Sequence, residues 1–91
     1  MKITLLGAGA WGTALAIAFA SKHEVTLWSR EEDVAVDLVK TRENRRFFPG
    51  HRLPDAVRVE TDFAAAIADA QLVVIATPIA GLRPTAERLK E

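Results

Sequence analysis

Residues 1–20 read "MKITLLGAGAWGTALAIAFA", and the fold turns on how this stretch is read. Three glycines, Gly7, Gly9 and Gly12, separate the short apolar run Ile3–Leu6 from an alanine-rich run that begins at Trp11. Glycine is entropically costly inside helices and strands, so it is kept where the backbone must turn sharply or be approached closely. Ile3–Leu6 is rich in strand formers, and Trp11–Ala20 is built of good helix formers. The stretch therefore predicts strand, tight glycine turn, helix.

The same alternation continues outward. Glu24–Trp28 ("EVTLW") reads as a second strand. It is followed by "SREE", the pattern of a capping box with Ser29 as N-cap and Glu32 at the third helical position. The helix so opened carries Val34, Ala35, Leu38 and Val39 on one stripe and should fray near Arg42. Asn44–Asp55 holds two prolines and a glycine and is expected to be a loop. Val57–Glu60 reads as a third strand, then "TDFAAAIADA" as a helix capped by Thr61 or Asp62. Leu72–Ala76 ("LVVIA") is apolar at successive positions, as in a parallel strand covered on both faces. A last helix is expected from Pro84 to Glu91. Strands alternating with helices imply a parallel α/β sheet of the doubly wound type, with four strands in the order 3-2-1-4.

In that setting the spacing Gly7-x-Gly9-x-x-Gly12 is a dinucleotide-binding turn. Gly7 makes the turn out of the strand, Gly9 lets a pyrophosphate touch the backbone, and Gly12 lets the helix pack close to the sheet. The helix N-terminus offers free N–H groups and the positive end of its dipole to the phosphates. The bland alternative is a strand–turn–helix without a ligand. NAD-selective sites place an acid at the end of the second strand, where this chain has Ser29 and Arg30. Glu31, Glu32 and Asp33 come later and read as first-turn helix residues. Arg30 suits stacking on adenine or pairing with a 2′-phosphate, with a solvated surface arginine as the plain alternative. The balance favours a site that accepts NADP as well as NAD. Trp11 suits either packing on a wall of that site or covering the helix start, and spacing does not separate the two.

Bulk composition narrows the field. Ninety-one residues suit one small domain. Twelve Lys and Arg balance twelve Asp and Glu, so no global field favours nucleic acid or an acidic membrane. Without cysteine there is no disulfide framework or thiolate metal site, and His23 and His51 lack metal-ligand spacing. The apolar runs are too short to span a bilayer or to form a signal peptide, so stable membrane insertion is not expected and a cytoplasmic protein is. Lys40, Arg42, Arg45, Arg46 and Arg52 stand against Glu43 alone, which usually marks a solvated face. The interleaved Phe47 and Phe48 leave single-stranded nucleic acid as a distant second.

Together, "GAGAWGTALA", "HEVTLW" with a following Arg, "TRENRRFFPG" and "ADAQLVVIATP" resemble the N-terminal part of bacterial glycerol-3-phosphate dehydrogenases. The resemblance runs over nearly the whole chain. It implies that residues 1–91 are a truncated N-terminal dinucleotide-binding domain, without the helical domain that holds substrate. It also implies an NAD(P)H-dependent oxidoreductase that reduces dihydroxyacetone phosphate, a small-molecule phosphate substrate, to supply phospholipid synthesis. The family's cofactor contacts would fall on Gly7, Gly9, Ala10, Trp11, Gly12 and Arg30. Phe47 stands where the family often has Tyr, and Pro78 matches the proline near the expected nicotinamide. Ile79 replaces the family's usual Ser, and "SKHE" replaces its "NGHE" turn. Lys2, Lys22, Lys40 and Lys90 match no catalytic motif, so no catalytic residue is expected here and residues 1–91 alone should be inactive. Other dehydrogenases of the same build, of hydroxyacid or 6-phosphogluconate type, share the glycines but not the "EN…PG" loop. A non-catalytic nucleotide sensor is the remaining alternative. The uncharged fourth strand would lie at a sheet edge, which invites self-association.

Overall fold

A computed structural model of the chain describes residues 1–76. The elements run β1 (Lys2–Leu6), α1 (Ala10–Phe19), β2 (Glu24–Trp28), α2 (Glu32–Thr41), β3 (Glu43–Asn44), β4 (Phe48–Arg52), β5 (Val57–Glu60), α3 (Phe63–Ile67) and β6 (Leu72–Ile75). The helix expected from Pro84, and Pro78 itself, lie outside the described residues.

Four strands form a parallel sheet in the order β5-β2-β1-β6. This is the expected doubly wound order, with β5 and β6 as the third and fourth parallel strands. Lys2 pairs with Glu24 and Leu6 with Trp28 on one side of β1; Ile3 pairs with Leu72 and Leu6 with Ile75 on the other. Period-two alternation along β1 then divides the core. Ile3 and Leu5 join Val25, Leu27, Val57, Ala16, Val34 and Leu38 in one buried cluster, which places α1 and α2 on that face. Leu6 joins Trp28, Phe63 and Ala66 in a second cluster, which places α3 on the opposite face. Trp28 and Phe63 meet edge to face with centroids 4.9 Å apart, and the Thr4 hydroxyl donates to the Ala66 carbonyl at 2.6 Å.

Several local expectations are corrected. The capping box does not form: α2 starts at Glu32, its N-cap is Glu31, and no side chain caps it. Ser29 closes a tighter turn, its Oγ accepting from the Glu31 N–H and donating to the Glu31 carbonyl, both at 3.1 Å. Serine hydroxyls bond readily two residues on, and here that local bond wins over the cap. Val39 falls off the buried stripe and is 53% exposed, while Val34, Ala35 and Leu38 are buried. The third helix is shorter than its alanine-rich sequence suggests, and Asp62 rather than Thr61 caps it through the Ala65 N–H. Within the described residues β6 is half-buried, with Leu72 exposed, rather than covered on both faces.

The largest departure is the expected loop at Asn44–Asp55, most of which is an antiparallel ribbon of β3 and β4. Pro49 and Gly50, which read as strand breakers, sit in β4, where a two-stranded ribbon leaves every residue on an edge. Gly50 has φ +87°, which only glycine adopts without strain. Arg42 fastens the ribbon to the sheet. It ends α2 in the left-handed conformation (φ 59°), its carbonyl accepts from the Leu53 N–H, and its guanidinium donates to the carbonyls of Pro54 and Val57 at 2.8 and 2.6 Å.

Candidate functional site

In open α/β sheets ligands bind beyond the carboxyl ends of the strands, where the strand order reverses. Here that place is the turn after β1, because the chain steps from β1 outward to β2 and β5 and returns to β6 on the far side. A cleft of about 200 Å³ opens there, lined by residues 7–10, residues 29–31 and Phe47. Another, of about 240 Å³, lies at the opposite strand ends beside Lys2, Glu24 and Arg58, away from the glycine turn.

The three glycines do different work. Gly7 has φ 126° and donates its N–H to the Trp28 carbonyl at 2.8 Å, so it turns the chain out of β1 and ties the turn to the end of β2. A Cβ on Gly12 would overlap the Gly7 carbonyl oxygen and lie 3.3 Å from the Ala76 Cβ, so α1 presses directly on the turn and on the end of the β6 segment. Gly9 is the opposite case. Its φ of −75° suits any residue, and an added Cβ would meet nothing within 4 Å. Among the described residues nothing requires glycine at position 9, and the space beside it is open to a ligand.

Gly9 is also the N-cap of α1, with no capping side chain and no acid in the first turn. The first N–H groups of a helix lack internal partners, and the dipole adds positive potential there. α2 differs: Glu32 and Asp33 occupy its first turn. The uncapped turn and the open face at Gly9 suit the pyrophosphate of a dinucleotide.

Phe47 is brought to the cleft by Asn44, whose part the sequence does not announce. Asn44 is 1% exposed; its Nδ2 donates to the Ala8 carbonyl (2.5 Å) and to Thr13 Oγ1 (2.8 Å), and its Oδ1 accepts from the Phe47 N–H (3.1 Å). One buried amide thus joins the glycine turn, α1 and the tip of the ribbon. The only sequence signal is an asparagine ahead of a proline–glycine turn, which fits an exposed turn as well.

The arginines of the basic stretch are largely answered by α2. Arg45 binds Asp37, and Arg46 contacts Glu31 and Asp33, each at 2.9 Å. Glu31 is not a first-turn residue as its position suggests; it is the N-cap of α2 and lines the cleft. Arg30, also at the cleft, has no ion pair or hydrogen bond among the described residues and is exposed. Trp11 is 69% exposed and is not among the described residues that line the cleft.

Among the described residues, the groups whose pKa is displaced are Asp37, Arg45 and Glu60, and none lines the cleft. The Arg45 hydrogen bond holds the Asp37 carboxyl below the usual carboxylate range. The Asp62 backbone N–H, with help from Arg58, does the same for Glu60.

A family profile described as the N-terminus of NAD-dependent glycerol-3-phosphate dehydrogenase matches residues 2–91. The chain belongs to that family. Its similarity to a glycerol-3-phosphate dehydrogenase [NAD(P)+] of Dechloromonas aromatica reaches 73% identity over 90 residues, which is 99% of this chain and 27% of that protein. The namesake from Herminiimonas arsenicoxydans is 50% identical over 93 residues, 99% of this chain and 28% of its own length. Among solved structures, the glycerol-3-phosphate dehydrogenase of Coxiella burnetii matches 98% of this chain at TM-score 0.93 and 32% identity, over 28% of its own length. The Plasmodium falciparum enzyme matches 99% of the chain at TM-score 0.86 and 26% identity. The chain therefore spans little more than a quarter of these relatives, and the family description places it at the N-terminus.

Proposed function

We propose that residues 1–91 form the NAD(P)H-binding domain of an oxidoreductase that reduces dihydroxyacetone phosphate to sn-glycerol 3-phosphate, a precursor of phospholipids. The observation that supports it most is the open space at Gly9, set at the switch point of the sheet and beside an uncapped helix. In this reading Gly7, Gly9, Ala10 and Gly12 form the pyrophosphate cradle. Arg30 and Phe47 would flank the adenosine end; the family resemblance would add Trp11 and Pro78 as cofactor contacts. The bound dinucleotide supplies the hydride; this chain's residues bind it, orient it and keep its phosphates on the helix terminus. A proton donor and a grip for the substrate phosphate would come from a following helical domain, in keeping with the chain's quarter share of its relatives' length. A cytoplasmic location goes with this reading. Among the described residues no helix is long and apolar enough to cross a membrane.

Two measurements test the proposal. Titration with NADPH and NADH should show saturable binding of both, and the full-length protein should oxidise them only when dihydroxyacetone phosphate is present. Residues 1–91 alone should bind and not turn over. Failure of the full-length protein to use dihydroxyacetone phosphate would reject the substrate. Self-association at β6 belongs with this proposal: among the described residues β6 pairs with β1 alone, and light scattering over a concentration series would detect it.

A further inference from the structure

Among the described residues Glu31 is the one acid lining the cleft, and it stands nineteen residues after Gly12. In dinucleotide sites an acid about twenty residues past the glycines accepts the ribose 2′-hydroxyl, and the same charge repels a 2′-phosphate. The Glu31 backbone is fixed by its two bonds to Ser29 Oγ. Its carboxylate, however, is engaged: Arg46 reaches it at 2.9 Å, reaches Asp33 at the same distance, and lies over the Phe47 ring with its guanidinium carbon 4.8 Å from the centroid. Arg46 thus links two residues that line the cleft, Phe47 on the ribbon and Glu31 after β2. Arg30, on the same wall as Glu31, has no ion pair among the described residues.

We propose that Arg46 is a specificity-determining residue that makes the site tolerant of NADPH by occupying Glu31. This deepens the dinucleotide reading above and rests on it. With Arg46 in place, Glu31 neither repels a 2′-phosphate nor is free to accept a ribose hydroxyl, and Arg30 is left to meet the phosphate. Without Arg46, the freed carboxylate does both, and the site turns toward NADH. The ion pair is exposed on both sides, so its role is to set the field in the cleft rather than to hold the fold together.

The test is a set of nicotinamide-fluorescence titrations on the full-length protein, with NADPH and NADH, for the wild type, Arg46→Ala, Glu31→Gln and the double variant. Arg46→Ala should weaken NADPH relative to NADH by about fivefold at low salt, the upper range for an exposed charge pair. Adding Glu31→Gln should restore the wild-type ratio, and Arg46→Lys, which keeps the charge, should retain it. The discrimination should shrink between about 0.05 M and about 0.5 M salt, because exposed charges are screened. Equal weakening of both cofactors by Arg46→Ala, or a double variant that does not recover, would overturn the proposal while leaving dinucleotide binding intact. A wild-type protein that bound neither dinucleotide would overturn the underlying reading, and this proposal with it.

Discussion

Two of the segments that wall the cleft are built on different principles. One is the glycine turn, in which consecutive residues 7–10 are shaped by backbone conformation and need only β1 before them and α1 after. The other is the ribbon tip carrying Phe47, which comes from residues more than thirty positions away and is held by one buried side chain, Asn44. The first wall is a local property of the chain; the second exists only once the chain has folded. Substitutions in the two walls should therefore fail in different ways.

The largest effect is expected at Gly12. Alanine there forces a methyl into the Gly7 carbonyl, and overpacking against backbone has little room to relax. Gly12→Ala should cost about 3 kcal/mol of stability, read from urea unfolding, and binding should be lost with the fold. Gly9→Ala should cost no more than about 1 kcal/mol, the scale of an N-cap change. Equal losses at the two positions would erase the distinction between a glycine required by packing and one required by a ligand.

Asn44→Ala comes next, at about 2–3 kcal/mol, because it leaves the Ala8 carbonyl, Thr13 Oγ1 and the Phe47 N–H without their partner. It should loosen the second wall while the sheet survives. Native-state hydrogen exchange should quicken at Phe47 and Phe48 before it does so in β1. Uniform quickening would mean that the walls are not separable.

Arg30→Ala should leave stability unchanged and weaken NADPH more than NADH by about 1–3 kcal/mol, the range for hydrogen bonds to charged groups. Equal losses would make Arg30 an adenine stacker, and no loss would make it a surface residue.

The smallest effect is acid sensitivity at Asp37 on α2 and Glu60 at the end of β5. Asp37 and Glu60 have folded-state pKa values below the usual carboxylate range, so they contribute stability above their unfolded pKa. That contribution is lost as pH falls below about 4 and through their folded values. Arg45→Ala should flatten the Asp37 part of this acid limb, seen as a smaller drop in Tm between about pH 5 and pH 3.

How much was legible in the sequence follows the same division. The strands, the sheet order and the glycine turn could be read because each depends on neighbours in the chain: a period of two, a capping acid, a turn residue. The ribbon could not, since Pro49 and Gly50 carry the marks of a loop and become strand residues only at the edge of a two-stranded pair. Asn44 was hidden for a related reason, as its worth lies in meeting Ala8, thirty-six positions earlier. Glu31 reads as a helix residue because "SREE" fits a capping box, and a two-residue shift in the start of α2 leaves it at the cleft.

On the proposed function, Gly9 is glycine for the sake of a dinucleotide. Gly9→Val in the full-length protein tests it most directly, with thermal unfolding and NADPH titration measured on the same samples. The expected outcome is a folded variant, its Tm within a few degrees of wild type, with NADPH and NADH binding abolished, because the branched side chain fills space that no described residue occupies. A folded Gly9→Val variant that binds NADPH as tightly as wild type would contradict it.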